Sequence, residues 1–284
     1  MEKTFDTPGT LALELRLPSG EILVETADAT ETHVELTASN EAGEELIRDS
    51  RIELRDGGGR QVVFVEVPER KGWGITWGRG PEVRIRVRCP HGAGLEVATA
   101  SADVSARGRF GSTGVKTASG DVEIEHAGNG AVIKTASGDV TIESVAGAAD
   151  VHTVSGDQQL EQVDGIATLR SVSGDIDVRD ARGDVHSNSV SGDHQFDAVA
   201  GDVQAQSVSG DVRIGVRRGL RVHVDATTVS GSMSSELDLD NAAPASEGRV
   251  IEIRAKTVSG DVRIVRAAAL PDSPSDLTAQ EVQA

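Results

Sequence analysis

The chain has 284 residues and a formal net charge of −18, with four Phe, two Trp and no Tyr. The negative charge argues against a surface for nucleic acid or anionic membrane, because phosphate groups need concentrated Lys and Arg. A single cysteine, Cys89, excludes an internal disulfide framework and a zinc site built from cysteines. Any core must be built from Val, Ile, Leu, Ala and Thr rather than from aromatic side chains.

Residues 1–97 alternate apolar and polar side chains without a fixed repeat, as in TLALELRL, HVELTA and EVRIRVR. Alternation with a period of two predicts β-strands with one buried face. We predict an irregular N-terminal β cap of longer strands, since the open end of a stack of strands invites polymerisation. Trp73 and Trp77 lie in a glycine-rich link of this region. They are either an exposed partner-binding site or a plug for the end of the core.

A repeat fills residues 98–266. The triplet Ser-Gly-Asp, or a close variant of it, recurs every eighteen residues from Ser101 to Ser209, and two later copies begin at Ser230 and Ser259. A second glycine follows most of the serines by ten residues, so the pattern predicts two strands and two turns per unit. Each unit is too small to bury a face of its own. The sequence therefore predicts an all-β fold, a single-stranded β-solenoid (β-helix) with 18-residue coils.

The alternation assigns side chains of each coil to the core or to water. The positions three and five residues after each serine are predicted to point inward, and the position between them outward. The inward columns are Val104, Val122, Val140, Gln158, Ile176, His194, Val212, Met233 and Val262, and Ala106, Ile124, Ile142, Leu160, Val178, Phe196, Ile214, Ser235 and Ile264. Before each triplet, a Thr or Ser column adjoins an Ala or Val column that runs from Ala118 to Val258. The sequence does not decide which of these two columns points inward.

The aspartates of the triplet form the candidate metal site. Stacking places their carboxylates about 4.8 Å apart, where two of them repel by roughly 0.9 kcal/mol in bulk water. Calcium, which takes all-oxygen ligands, would offset this repulsion. The alternative, which we favour, is structural: Gly provides a turn with positive φ, while Asp and Ser accept hydrogen bonds from nearby backbone N–H groups. The predicted calcium ladder consists of Asp121, Asp139, Asp157, Asp175, Asp193 and Asp211.

No catalytic residue and no cofactor other than calcium is predicted. His152 and His186 fall on outward columns and His194 on an inward one, so the three do not form a metal triad. Gln158 and His194 are polar residues in the inward Val column, two coils apart and too distant for a direct bond, so each is expected to find a local partner. The repeat region has no Trp or Tyr to stack on sugars, which argues against a carbohydrate groove.

The final residues, 267–284, lose all periodicity and are rich in small and acidic residues, so we predict a disordered tail. The sequence shows no secretory leader and no apolar segment long enough to span a membrane. We therefore expect a cytoplasmic protein, with an envelope-associated protein as the alternative.

The segment RVRCPHGAGLEVATASADV leads into serial TASGDV and SVSGDV units, and the repeat closes with LRVHVDATTVSGSM and IRAKTVSGDVRIVRA. This combination resembles the bacterial β-strand-repeat family of unknown function that carries the label putative adhesin. The resemblance covers roughly residues 5–266. It implies a β-solenoid fold and an envelope association shared by many members, and it supplies no catalytic residue.

These observations predict a non-enzymatic scaffold or protein-interaction protein, with an adhesin-like fold and an unidentified protein partner. The alternatives are a self-assembling structural rod and a calcium-binding module that is similar to a β-roll. A carbohydrate-active β-helix enzyme is the remaining alternative. In solution we expect either a monomer or end-to-end self-association.

Overall fold

The computed structural model of the chain describes residues 1–57, 59–69, 82–237 and 249–268. Trp73, Trp77 and residues 269–284 of the predicted tail lie outside the described residues. The N-terminal elements are β1 (Glu2–Asp6), β2 (Leu11–Ala27), β3 (Glu31–Ala38), α1 (Glu41–Arg48), β4 (Arg51–Gly57), β5 (Arg60–Glu66), β6 (Val83–Pro90) and β7 (Gly94–Lys116). The following strands are β8 (Val122–Lys134), β9 (Val140–Val145), β10 (Ala148–His152), β11 (Gln158–Val163), β12 (Ala167–Arg170), β13 (Ile176–Ala181), β14 (Val185–Asn188), β15 (His194–Val199), β16 (Val203–Gln206) and β17 (Val212–Val216). The C-terminal strands are β18 (Arg221–Ser230), β19 (Met233–Ser235), β20 (Val250–Ser259) and β21 (Val262–Arg266).

The middle of the molecule is a stack of parallel coils. β9, β11, β13 and β15 pair with one another in order, and β10, β12, β14 and β16 do the same on the other side of the coil. Each residue lies opposite the one eighteen positions later, as Leu160 lies opposite Val178. The predicted β-solenoid with 18-residue coils is therefore confirmed.

The core of the stack consists of the predicted inward columns. Phe196 is its largest fully buried side chain, and the Val, Ile and Leu residues of both columns are likewise buried. Two predicted positions are wrong: Met233 is 57% exposed, and Ser235 is exposed as well. Both belong to β19, which pairs only with β21 among the described residues, so no further coil covers them.

At both ends of the stack, chain order and spatial order differ. β2 lies between β7 on one side and β5 and β6 on the other, so that Leu13 has Leu95 and Val63 as its neighbours. At the other end, β20 and β21 lie between β16 and β17 on the inside and β18 and β19 on the outside. β2 therefore forms the second coil from the N-terminal end of the stack. β20 and β21 form the second coil from the C-terminal end.

The N-terminal end is closed by antiparallel strands. β3 pairs antiparallel with β6, β4 with β5, and β1 with β3. The predicted N-terminal β cap is therefore confirmed, and it also contains the helix α1, which the sequence analysis did not predict. Asn40 caps α1 by accepting a hydrogen bond from the N–H group of Gly43 at 2.8 Å. β7 runs without interruption across residue 97, and the boundary placed there between cap and repeat stays a prediction.

Candidate interaction surface

One corner of each coil carries the repeated triplet and the residues just before it. The Thr or Ser of the preceding column points inward, which answers the question that the sequence left open. Early in the stack, these hydroxyls accept hydrogen bonds from the N–H group of the triplet glycine, as Thr117 does from Gly120 at 2.9 Å and Thr135 from Gly138 at 3.0 Å. The buried members of the column are Thr135, Thr153, Ser171, Ser189, Ser207 and Thr257.

The glycine of the triplet is required because coils approach closely at this corner. A Cβ atom at Gly156 would lie 2.0 Å from the carbonyl oxygen of Gly138, one coil before it. The same contact recurs at the other triplet glycines. The predicted positive φ is wrong for most of them, since among the triplet glycines only Gly192 and Gly260 lie in that region. A carbonyl in the neighbouring coil, rather than the shape of the turn, excludes larger residues.

The aspartate ladder binds coil to coil. Oδ1 of each aspartate accepts a hydrogen bond from the backbone N–H group of the aspartate in the next coil, at distances of 2.8 to 3.1 Å. At the last coil, Asp261 accepts from Ser232 at 2.7 Å, and this backbone hydrogen bond lowers the pKa of Asp261. Each aspartate thus accepts a hydrogen bond from a backbone N–H group, and this group belongs to a neighbouring coil. The ladder comprises Asp103, Asp121, Asp139, Asp157, Asp175, Asp193, Asp211 and Asp261.

Calcium binding at this ladder stays a prediction. The hydrogen bonds between coils use Oδ1, which leaves Oδ2 of each carboxylate for a cation. Within the described part of the chain, one group of three potential metal ligands converges within 4.8 Å, and it consists of Glu125, His126 and Glu143 rather than ladder aspartates. Glu125 and Glu143 occupy the same position in successive coils, a signal that was present in the sequence. Calorimetry with millimolar calcium tests the ladder, because no binding heat and no rise in melting temperature would contradict the prediction.

The two polar residues of the inward column have local partners, as predicted. The side-chain amide of Gln158 donates to Thr153 Oγ1 at 2.9 Å and to the Arg170 carbonyl oxygen at 2.8 Å. The ring nitrogens of His194 lie 2.8 Å from Ser187 Oγ and 2.7 Å from Ser189 Oγ. Burial lowers the pKa of His194 to about 4, so the ring is neutral at pH 7.

The other two candidate histidines lie elsewhere. His152 Nε2 lies 2.8 Å from Asp150 Oδ1 on the outer face of its strand, and His186 is exposed on a different strand. Because His194 points into the core, the three imidazole rings do not meet at one point.

The valine column at the same corner points to water. We call its six valines the Val ladder; five of them are 46 to 50% exposed and Val229 is 77% exposed. They occupy consecutive coils, because backbone hydrogen bonds between neighbouring coils connect this column. At a coil spacing of about 4.8 Å, the ladder is roughly 24 Å long. Its members, in spatial order, are Val154, Val172, Val190, Val208, Val258 and Val229.

Charged columns run along both sides of the Val ladder. On one side lies the aspartate ladder, three residues after each valine except Val229, where Ser232 takes the place of the aspartate. On the other side, two residues before each valine, lies a column without an acid, which consists of His152, Arg170, Asn188, Gln206, Lys256 and Thr227. Its exposed cations make no ion pair among the residues that the structure describes, whereas Arg179 and Arg213 on the neighbouring strands are paired with acids. Beside the valines these cations are Arg170 and Lys256. Lys116 and Lys134 continue the column into earlier coils, where Ala118 and Ala136 stand in place of a valine.

Comparison with solved structures finds distant similarity to bacterial proteins. A putative adhesin from Bacteroides fragilis is 12% identical, with 93% of this chain and 96% of that chain covered and a TM-score of 0.46. A putative lipid binding protein from Parabacteroides distasonis is 12% identical, with 94% and 96% covered and a TM-score of 0.38. A putative adhesin from Parabacteroides merdae is 14% identical, with 94% and 96% covered and a TM-score of 0.35.

Sequence comparison assigns the family. No curated protein matches the chain. In the described ranges, no helix has the length and apolar character needed to cross a membrane. The model of the family described as Toastrack DUF4097 matches residues 10–265, which confirms the resemblance that the triplet repeats indicated. The chain belongs to the Toastrack DUF4097 family.

Proposed function

We propose that this protein is a non-enzymatic β-solenoid scaffold that binds other proteins through the Val ladder. The observation that carries the proposal is the row of exposed valines in six consecutive coils. Scattered apolar residues are normal on a protein surface, but a contiguous apolar row with polar borders is typical of an interaction site. The flanking strands expose polar and charged columns, so the row is a distinct feature of the surface.

The polar groups that could perform chemistry support the non-enzymatic part of the proposal. His194 is buried, neutral at pH 7 and bonded to two serines, so it is not available to a substrate. Gln158 is bonded to Thr153 and to a backbone carbonyl. The ladder aspartates use Oδ1 to hold neighbouring coils together. Each of these groups therefore has a structural role that explains its presence.

A capture experiment tests the proposal. Wild-type protein and the variant Val172→Ser/Val190→Ser/Val208→Ser are immobilised, and proteins bound from lysate of the source cells are quantified by mass spectrometry. Ile166→Ser is the matched control, because Ile166 is 49% exposed but lies at the opposite turn of the coil. Proteins lost from the triple variant and kept by the control are then purified and titrated by calorimetry. Equal capture by all three would contradict the proposal.

Self-assembly into longer rods is a second candidate, favoured by the C-terminal end of the stack. Among the described residues, β18 pairs only with β20, so the backbone groups of its outer edge have no neighbouring strand. An unpaired parallel edge is a template for another strand. Light scattering at increasing protein concentration tests this function, since end-to-end addition gives a mass that keeps growing, whereas a constant mass would exclude it.

A further inference from the structure

The two borders of the Val ladder carry opposite charge. The aspartate ladder supplies Asp157, Asp175, Asp193, Asp211 and Asp261 beside the valines, all of them exposed. The other border supplies Arg170 and Lys256, and its neighbouring coils add Lys116 and Lys134, again all exposed. Because none of these four cations has an acidic partner in the described part of the chain, they are free to pair with carboxylates of another molecule.

We propose that the Val ladder binds the Val ladder of a second copy of this chain, side by side and parallel, around a two-fold axis that runs along the stack. This inference rests on the proposed function, since it names the partner of the same surface. A two-fold axis in this direction leaves each coil at its own height. Val190 of one copy therefore faces Val190 of the other, and the same holds for every coil of the ladder.

Symmetry makes the charges complementary in this arrangement. Rotation about an axis parallel to the ladder exchanges its left and right borders, so the aspartate border of one copy faces the cationic border of the other. Arg170 and Asp175 belong to the same coil, as do Lys256 and Asp261. Each cation thus lies at the height of an aspartate from the second copy, and the valines between them are removed from water.

The opposite orientation is disfavoured by the same columns. In an antiparallel pair the two-fold axis crosses the ladder, and each border then faces its own counterpart. The aspartate ladders of the two copies would lie against each other, with like charges repelling along the whole contact. The charge pattern therefore selects the parallel arrangement.

The size of the surface sets the expected strength. Six partly exposed valines with charged borders form a small contact, for which a dissociation constant on the order of micromolar is typical. Each copy has a net charge of −18, which opposes association at low salt. At about 0.15 M ionic strength the Debye length is about 8 Å, so charges outside the contact are largely screened. Measurements therefore belong at that ionic strength.

Sedimentation equilibrium tests whether the pair forms. We expect a reversible monomer–dimer equilibrium for wild-type protein and for Ile166→Ser. The variant Val172→Ser/Val190→Ser/Val208→Ser is expected to stay monomeric, with a thermal melt that shows it is folded. A wild-type protein that stays monomeric up to several times the expected micromolar constant would overturn the inference. So would a dimer that the triple variant retains.

A disulfide experiment tests the orientation. In the parallel pair, Val154→Cys places the new thiol opposite its own copy, whereas in an antiparallel pair centred on the ladder it would face Val229. The native Cys89 does not compete, because it is fully buried and burial raises its pKa to about 12. We expect mild oxidation to give a covalent dimer of Val154→Cys and none of Ile166→Cys. Failure of Val154→Cys to cross-link under conditions where wild-type protein is dimeric would overturn the parallel arrangement.

The charge pattern is tested by Arg170→Glu/Lys256→Glu. Neither side chain has an ion pair in the described part of the chain, so the fold does not depend on their charge. We expect the dissociation constant of the dimer to rise at least about tenfold in the double variant. An unchanged dissociation constant would contradict the charge complementarity. A further outcome separates this inference from the proposed function. If the wild-type protein is monomeric but captures a protein that the triple valine variant does not capture, the second copy is overturned as the partner and the proposed function stands.

Discussion

The two ends of the stack are built differently. At the N-terminal end, β3 and β4 cover the edges of β6 and β5 in antiparallel pairing, and apolar side chains of β3, such as Leu36 and Val34, are buried. At the C-terminal end, β18 and β19 extend the parallel stack, and Val224 and Met233 are 38% and 57% exposed. A reversal of strand direction thus accompanies a closed core, whereas continuation of the repeat leaves the outermost coil partly exposed.

This difference has an energetic consequence. A coil with neighbours on both sides loses contacts in two directions when a core side chain is truncated, whereas the outermost coil loses them in one. Repeat stacks derive their stability from contacts between neighbouring units, so the outermost coil should be the least stable part. We expect the C-terminal end to open first and the N-terminal end to open only with the whole stack.

The largest effect is expected from core truncation in the N-terminal cap. Leu36→Ala removes a side chain that is 1% exposed and lies opposite Ile85 in β6. We expect the free energy of unfolding to fall by about 2–5 kcal/mol. Met233→Ala at the other end should lower it by less than about 0.5 kcal/mol, as is usual for surface substitutions. Urea denaturation of both variants tests the comparison, and equal losses would contradict it.

Acid should weaken the C-terminal half of the stack. Burial lowers the pKa of His194 to about 4, while in the unfolded chain it is about 6.5. As the pH falls through 6.5, the unfolded chain gains a proton that the folded chain does not bind until about pH 4. This group should therefore reduce the free energy of unfolding by roughly 3 kcal/mol between those pH values, and it has no effect above them.

The variant His194→Val is the control for this titration, because Val212 occupies the same column one coil later. It should lack the corresponding pH dependence. Amide hydrogen exchange near pH 4 should accelerate in β16 and β17 before it does so in β5 and β6. Uniform acceleration along the chain would show that the two ends do not differ in this respect.

A smaller effect is expected where a glycine is replaced between coils. A Cβ atom at Gly156 would lie 2.0 Å from the Gly138 carbonyl oxygen, and one at Gly231 would lie 2.0 Å from the Gly260 carbonyl oxygen. Gly156 belongs to a coil held on both sides, so we expect Gly156→Ala to cost about 1–3 kcal/mol, the usual range for overpacking. The outermost coil is free to move away, so Gly231→Ala should cost less. Thermal melts of the two variants test this difference, and a larger loss of stability in Gly231→Ala than in Gly156→Ala would contradict the comparison.

The smallest effect concerns the helix of the N-terminal cap. Asn40→Ala removes the acceptor that caps α1, and we expect a loss of about 1 kcal/mol. Asn40→Asp keeps an acceptor and should restore most of that stability. If Asn40→Ala and Asn40→Asp melt at the same temperature, the cap does not contribute to closing this end.

Much of the fold was predictable because it is local and periodic. Eighteen residues return the chain to the same place, so the inward columns around Val140 and Ile142 follow from the spacing of the glycines. The insertion of β2 and of β20 into second-last coils was not predictable, because it joins segments that share no period. The exposure of Val190 beside buried Ser189 was also undecided, because strand alternation does not continue through a corner.

The candidate surface shows the same division. The aspartate column is visible in the sequence. The hydrogen bond from a backbone N–H group of one coil to Oδ1 in another depends on the offset between the coils, which only the structure shows. The triplet glycines are also visible in the sequence, and we predicted that they are required by the turn. At Gly156, however, the carbonyl group of the neighbouring coil leaves no space for a side chain. The cations that flank the valines could not be assigned to an interaction surface from the sequence, because the exposure of both the cations and the valines is known only from the structure.

The position of β20 and β21 has a consequence for synthesis and proteolysis. A chain that ends before residue 250 lacks these two strands, and β18 and β19 then lose the strands with which they pair in the described structure. Loss of the last seventeen residues of the stack, 250–266, therefore removes two coils instead of one. During translation the same two strands are missing until this segment has been made, so the C-terminal end is completed only when β20 and β21 take their places between strands synthesised before them.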